Sequence, residues 1–334
     1  MIGKNRIKRI ILVLLICSSI LFVQKQTLAA NPDSFFLLIA KTRSDNNGPD
    51  YLNLVKQQLA RIGIRLDILA NNPLFVEPYY SMSDFDIAYI ELKQEIFNPY
   101  FPELYSENGT YNNLIGYDIS LDWDDELETG RNEWYIQNGS VLYPQNSTEN
   151  LKLNWEWQHY LMDDILPCLP LFIINNDTLS MLVFNLREVR PVLGNRDPCP
   201  LYPDKSIGLA VRKAIVYAID REEINNIVHG GKYEISHWPI TLMNSSWCNP
   251  NIIKYCHNLQ VSRDVMTLSG YDLGVTRICG QKEKKKDIPT WPKWEEVCEE
   301  YNTVTIDNSI EFILCSIFTV SLVILYQNKK RIKR

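Results

Sequence analysis

The sequence predicts an α/β fold: a mixed sheet with flanking helices, plus one C-terminal transmembrane helix. Three observations predict it. Residues 35–69 read as strand, helix, strand; residues 181–240 read as strand, loop, helix, capped turn, helix; and each end of the chain carries an apolar run beside a basic cluster. With 46% hydrophobic residues, 8 Trp and 18 Tyr among 334 residues, there is ample material for a core.

Lys4, Arg6, Lys8 and Arg9 precede an apolar run from Ile10 to Val23, and Thr27-Leu28-Ala29-Ala30 offers small residues for cleavage. Residues 1–30 are expected to be a signal peptide, with a retained anchor as the alternative. The run FFLLIA from Phe35 predicts a strand, and KTRSDNNGP a polar loop. DYLNLVKQQLARIGI predicts a helix ending at Gly63, with Leu52, Val55, Leu59 and Ile62 as its buried stripe. RLDIL predicts a second strand, and a βαβ unit should pair its strands in parallel. Asp84 to Ile90, DFDIAYI, predicts a third strand. Residues 98–150 are rich in Tyr, Asn, Gly and acids and predict surface loops with short helices. Trp155 to Met162 predicts an amphipathic helix.

The most legible stretch is 181–240. Leu182, Val183 and Phe184 are β-prone, and Pro191 limits the strand. From Ser206 the period becomes helical: Ile207, Ala210, Val211, Ala214, Ile215 and Ala218 share one face. Arg212 is expected to be a surface charge on that helix. Asp220 is placed to cap a second helix, with Glu223 three residues on as in a capping box. Gly230 and Gly231 end it with residues tolerant of left-handed backbone. From 276 to 307, the runs QKEKKKD and PTWPKW predict a solvated stalk. Phe312 to Tyr326 is mostly apolar, and Lys329, Lys330, Arg331, Lys333 and Arg334 follow. A transmembrane helix at 308–328 with a basic cytoplasmic tail at 329–334 is the expectation.

The net charge is −6, and because both ends are basic the segment between them is more acidic still, which argues against nucleic acid as a partner. Asn-x-Ser/Thr sequons stand at Asn108, Asn138, Asn146, Asn176 and Asn244 and suit a glycosylated exterior. Six cysteines lie between the apolar ends: Cys168, Cys199, Cys248, Cys256, Cys279 and Cys298. An even number in an exported chain predicts disulfides, with fifteen connectivities open. Cys248 and Cys256, flanking a short loop, are the best single pair. His229, His237 and His257 with these two cysteines match no compact zinc spacing, so neither metal nor cofactor is expected. Adjacent acids such as Asp124-Asp125 and Asp163-Asp164 read as solvated pairs. With no G-x-S-x-G, H-E-x-x-H or phosphate loop, catalysis is not expected.

The wording V-R-K-A-I-x-Y-A-I-D-R-E-E-I at 211–224, then G-G at 230–231 and W-P-I at 238–240, closely resembles the family 5 extracellular solute-binding proteins. These are the oligopeptide, dipeptide and nickel receptors of ABC importers. Phe184-Asn185 matches the family's preceding strand end, and 261–274 loosely matches a later helix. The 35–69 unit and Leu166–Phe172 resemble the family's final part. The resemblance implies lobes of the type II periplasmic-binding-protein kind. It divides the chain into 31–180, like the family's C-terminal part, and 181–275, like its central part. The order is therefore reversed, and the phrases of the N-terminal lobe are missing. A circular permutation of one lobe, or a deletion between two tandem modules, explains this. Either allows Gly270-Tyr271 to lie near Phe35, because those segments are consecutive in the family.

By resemblance, ligands sit between two lobes near the hinge strands, which makes Asn185 and Trp238 the candidate contacts. The implied function is capture of a peptide or other small solute for an ABC transporter permease, by a protein of the cell membrane with an extracellular ectodomain and a single C-terminal span. The alternative is a truncated, non-transporting receptor remnant that acts as a surface interaction protein.

Overall fold

The computed structural model describes residues 34–71, 84–93, 98–142, 147–174, 178–240, 246–271 and 291. The signal peptide, the stalk apart from Trp291, the membrane helix and the basic tail all lie outside them. Among the described residues, no helix is long and apolar enough to cross a membrane.

Strand β1 (Phe36–Arg43), helix α1 (Gly48–Ala60) and strand β2 (Ile64–Asn71) form the expected βαβ unit. The two strands pair in parallel over their full length, from Phe36–Ile64 to Arg43–Asn71. Leu52, Val55, Leu59 and Ile62 are all fully buried, as the helical period requires. Gly63, at φ 76°, turns the chain from helix to strand. Strand β3 (Ile87–Lys93) then pairs in parallel on the other side of β1.

Residues 98–150, expected to be surface loops with short helices, have the short helices but also contribute buried residues. Two single-turn helices, α2 (Pro102–Tyr105) and α3 (Asn112–Ile115), are followed by a 3-10 turn, Ile119–Leu121. Next come a minimal pair of strands, β4 (Trp123–Asp124) and β5 (Thr129–Gly130), and helices α4 (Arg131–Val141) and α5 (Thr148–Tyr160). A π-helical turn, Leu161–Ile165, continues α5. Tyr100, Phe101, Leu104, Tyr105, Ile115 and Ile136 are buried here. Trp157 sits between Tyr100 and Tyr105, at ring distances of 5.2 and 5.8 Å. A composition of Tyr and Asn conceals a core because each buried polar tip finds a partner. Trp157 Nε1 donates to Asn132 Oδ1 (2.9 Å), and Asn132 Nδ2 donates to the Tyr105 carbonyl (2.9 Å).

Strands β6 (Cys168–Ile174) and β7 (Thr178–Phe184) complete the centre of the sheet. Both are buried along almost their whole length, so both faces of the sheet are covered there. Pro170 is accommodated at a register shift between Pro170 and Phe172. After the short pair β8 (Pro198–Cys199) and β9 (Tyr202–Ser206), helices α6 (Ile207–Ala218) and α7 (Arg221–His229) follow. Strand β10 (Glu234–Ile235) and helix α8 (Leu259–Leu268) close the described fold. The sheet order is β10-β6-β7-β3-β1-β2; β2, β1 and β3 are mutually parallel, and the remaining neighbours are antiparallel. Segments 31–180 and 181–275 thus share one mixed sheet.

Arg212 is not a surface charge. Helix α6 is buried on all sides from Gly208 to Ala218, and Arg212 is 1% exposed. It donates to the carbonyls of Leu193 and Ile165, and burial, then the charge of Arg196, pushes its pKa down to about 9. The capping box is half formed. Asp220 Oδ1 accepts from Glu223 N (2.9 Å), but the return bond is replaced by Gln58 of α1. Gln58 Oε1 accepts from Asp220 N (3.1 Å), while Gln58 Nε2 donates to Glu223 Oε2 (2.8 Å). Gly230 and Gly231 end α7 at φ 62° and 72°, as their sequence predicts.

Candidate functional site

The strand order reverses between β2 and β3, so the crevice beyond the C-terminal ends of β1 and β3 is where an α/β sheet ordinarily takes a ligand. Here that crevice is plugged. Tyr51 and Tyr89 are 0% and 1% exposed and their rings lie 4.8 Å apart. His229 hydrogen-bonds the Tyr51 hydroxyl and rests 4.3 Å from the ring of Tyr233. A β-carbon on Gly48 would collide with Thr42 and Tyr89, which shows how closely α1 approaches the two strands.

An open groove lies elsewhere, between α5 and the segment 246–251, with a volume of about 520 Å³. Helix α5 builds it from two stripes. Asn150, Asn154 and Gln158 recur every four residues and are buried, while Lys152, Trp155, Glu156 and His159 occupy the other side and line the groove. The amide stripe anchors the helix: Asn150 accepts from the Tyr100 hydroxyl (2.9 Å), and Gln158 donates to the Trp247 carbonyl (2.6 Å).

The opposite wall is fixed by Asn249. Its Nδ2 donates to the Trp155 carbonyl (2.8 Å), its N–H to Gln158 Oε1 (3.2 Å), and its carbonyl accepts from Trp238 Nε1 (2.9 Å). Trp155 Nε1 donates to the Ser246 carbonyl (3.1 Å). At the far end, Tyr135 and Tyr160 meet at 5.8 Å, and the Tyr160 hydroxyl donates to Asp122 Oδ2 (2.9 Å). Burial, then the Asp122 charge, raises the Tyr160 pKa far above its ordinary value, so this phenol stays protonated. Asp164 is engaged by Lys205 at 2.5 Å. The groove therefore presents the rings of Trp155 and Tyr160, held by their polar edges, and Tyr135, with Lys152, Glu156, His159 and Asn251 around them.

The two residues singled out from the sequence stand differently. Asn185 is 0% exposed and away from the groove: its Nδ2 donates to the Phe85 carbonyl (2.8 Å), and its N–H to the Asp86 carbonyl (2.9 Å). It ties the end of β7 to the entry of β3. Trp238 is half-buried and buttresses the groove through Asn249 without lining it. The groove residues themselves were not found from the sequence. The signal that was available is the Asn150-Asn154-Gln158 repeat, which marks a buried face by amides rather than aliphatics.

The histidines do not converge. His229 meets Tyr51, His237 Nδ1 accepts from Arg221 Nη2 (3.2 Å), and His257 Nδ1 lies 3.4 Å from Asp220 Oδ2. Among the described residues no group of three or more His, Cys, Asp or Glu could hold a metal. The expected Cys248–Cys256 bridge is also corrected: Cys256 is disulfide-bonded, and Cys248 is not the sulfur it bonds. Cys168 and Cys199 are buried thiols. Of the sequons, Asn108 is exposed, whereas Asn138 lies within α4 and donates to the Trp134 carbonyl (2.8 Å). Asn146, Asn176 and Asn244 lie outside the described residues.

Compared with known proteins, the chain matches no family model, no curated protein and no solved structure.

Proposed function

We propose that this protein is a surface-displayed binding protein without catalytic activity, a one-lobed and rearranged relative of the family 5 solute-binding proteins, which holds its ligand in the α5 groove. The observation that carries the groove assignment is its preorganisation. Trp155, Tyr160 and Asn249 are fixed by hydrogen bonds to the protein, so little ordering cost remains for ligand binding. The relation to family 5 is supported by the 211–240 wording together with the contact of Tyr271 on Phe35 and Phe36, at 5.5 and 5.0 Å. Those segments are consecutive in the family and distant in this chain.

Importers of this family close two lobes on a solute. In this protein one six-stranded sheet takes strands from both segments, and the groove is open, so the non-transporting reading is preferred to delivery to a permease. Attachment to the membrane through 308–328, with the described residues outside the cell, belongs to the same proposal. The test is calorimetric titration of the full chain with pooled short peptides and with neutral saccharides. Saturable binding that Trp155→Ala weakens supports the groove. Binding of every ligand unaltered by Trp155→Ala, or no binding at all, defeats it.

A further inference from the structure

We infer that the groove takes a neutral oligosaccharide. This rests on the groove being the ligand site and names the class of ligand. The first argument is the kind of surface presented. Trp155 and Tyr160 both line the groove, yet the indole N–H is held by the Ser246 carbonyl and the phenol by Asp122. What remains for a ligand is the Trp155 ring, the part of the Tyr160 ring not covered by Arg131, whose guanidinium lies 5.8 Å from its centre, and Tyr135 beside it. A pyranose ring offers a matching face of C–H groups, which packs on an aromatic plane while its hydroxyls project sideways.

The second argument is the rim. Lys152 donates, Glu156 accepts, and Asn251 and His159 can do both. Hydroxyl groups, each donor and acceptor at once, use such a mixture; a ligand of one fixed polarity does not. Charge points the same way. Lys152 and Glu156 have opposite sign, and Asp164 is neutralised by Lys205 at 2.5 Å. Arg131, over the Tyr160 ring, is in turn paired with Asp124 at 2.6 Å, so the charges around the groove balance in pairs and favour neither an anionic nor a cationic ligand.

The third argument separates sugar from peptide. A bound peptide must satisfy its own backbone N–H and C=O groups, commonly along an open strand edge. This groove is walled by helix side chains and a loop, and the nearby carbonyls of Trp155, Ser246, Trp247 and Asn249 already accept hydrogen bonds. The volume of about 520 Å³ falls within the range of small-ligand sites, and the open form suits a linear chain that extends beyond it.

The test uses the full chain in a detergent without a sugar headgroup, titrated with cellopentaose, maltopentaose and chitotetraose. Binding is followed by calorimetry and tryptophan fluorescence, with pooled pentapeptides run in parallel. The expected result is saturable binding of at least one saccharide, weakened about tenfold or more by Trp155→Ala and by Tyr135→Ala. Both variants should keep the parent circular dichroism, and Ile227→Ala, at an exposed position away from the groove, should leave binding unchanged. No saturable binding to any of the three sugars, or binding that ignores both aromatic substitutions, overturns the inference. Peptide binding that Trp155→Ala abolishes, without sugar binding, overturns the sugar assignment and leaves the groove intact as a ligand site. Failure of every ligand overturns both.

Discussion

Tyr271 sets its ring against Phe36 at a centroid distance of 5.0 Å and an interplanar angle of 71°. Tyr271 follows the last described helix, and Phe36 begins the first strand, so the contact closes the described fold on itself. Phe35 joins it at 5.5 Å. If this lobe is a rearranged form of one in which these segments run consecutively, the junction should tolerate being made covalent. A permuted chain that opens between β6 and β7 at 175–177, and joins Tyr271 to Ser34 through a short glycine-serine linker, should fold cooperatively with the parent near-ultraviolet dichroism. A molten product would end that explanation.

The same contact has a measurable strength. Tyr271→Ala should cost about 2 kcal/mol in denaturant unfolding, from lost aromatic packing on two rings. Tyr271→Phe should cost much less, because the packing is retained. Equal losses from both would mean that the hydroxyl, not the ring face, holds the junction.

Gln58 joins the βαβ unit to the cap of α7. Its side chain is 1% exposed, so Gln58→Ala leaves the Asp220 N–H without its acceptor inside the protein. The expected loss is about 1–3 kcal/mol, against about 1 kcal/mol for Asp220→Ala at the cap itself. Chemical denaturation of the two single variants and the double variant checks this, and their coupling should be non-additive.

Among the described residues, Arg221 has no carboxylate as a hydrogen-bond partner. It donates to the carbonyls of Pro170 (2.8 Å), Ser236 (2.6 Å) and Tyr255 (2.6 Å), and burial pushes its pKa down to about 10. A lysine cannot span these acceptors as the planar fork does. Arg221→Lys should destabilise by about 2 kcal/mol or more, seen as a lower thermal midpoint with unchanged unfolding cooperativity.

Stability should fall in mild acid through His237. Burial, then the charges of Arg221 and Lys254, pushes its pKa from 6.5 to about 3. Above about 6.5 the imidazole is neutral in both states, and there is no penalty. Between about 6.5 and 3 the unfolded chain takes up a proton that the folded one refuses, so stability declines as pH falls, by up to about 1.4 kcal/mol per pH unit. His229 and His257 are shifted down too, burial being the largest cause for each, and add in the same direction. Urea midpoints from pH 7 to 4 should show the slope, and His237→Gln should flatten part of it while keeping an acceptor for Arg221.

Much of the scaffold was legible because it follows local periodicity. The stripe Leu52-Val55-Leu59-Ile62, the parallel βαβ unit, the Asp220 cap and the Gly230-Gly231 stop depend on neighbours within a turn or two, and the structure has each of them. The groove was not legible. Residues 98–165 fold on Tyr, Trp and amide contacts that carry no apolar period, and Trp155 acquires its role only when Ser246 and Asn249, some ninety residues on, arrive beside it.

The sequence by itself determined the strand-helix-strand unit of 35–69, the strand ending at Phe184, the helix from Ile207, and where α7 starts and stops. Only the tertiary structure decided that Arg212 is buried, that Gln58 completes the cap, that Asn185 is a fastening and that the aromatic face lies on α5. The physical reason is the same in each case. A helix or strand is chosen by spacing along the chain, whereas the worth of a polar side chain depends on which distant donors and acceptors folding brings within hydrogen-bonding reach.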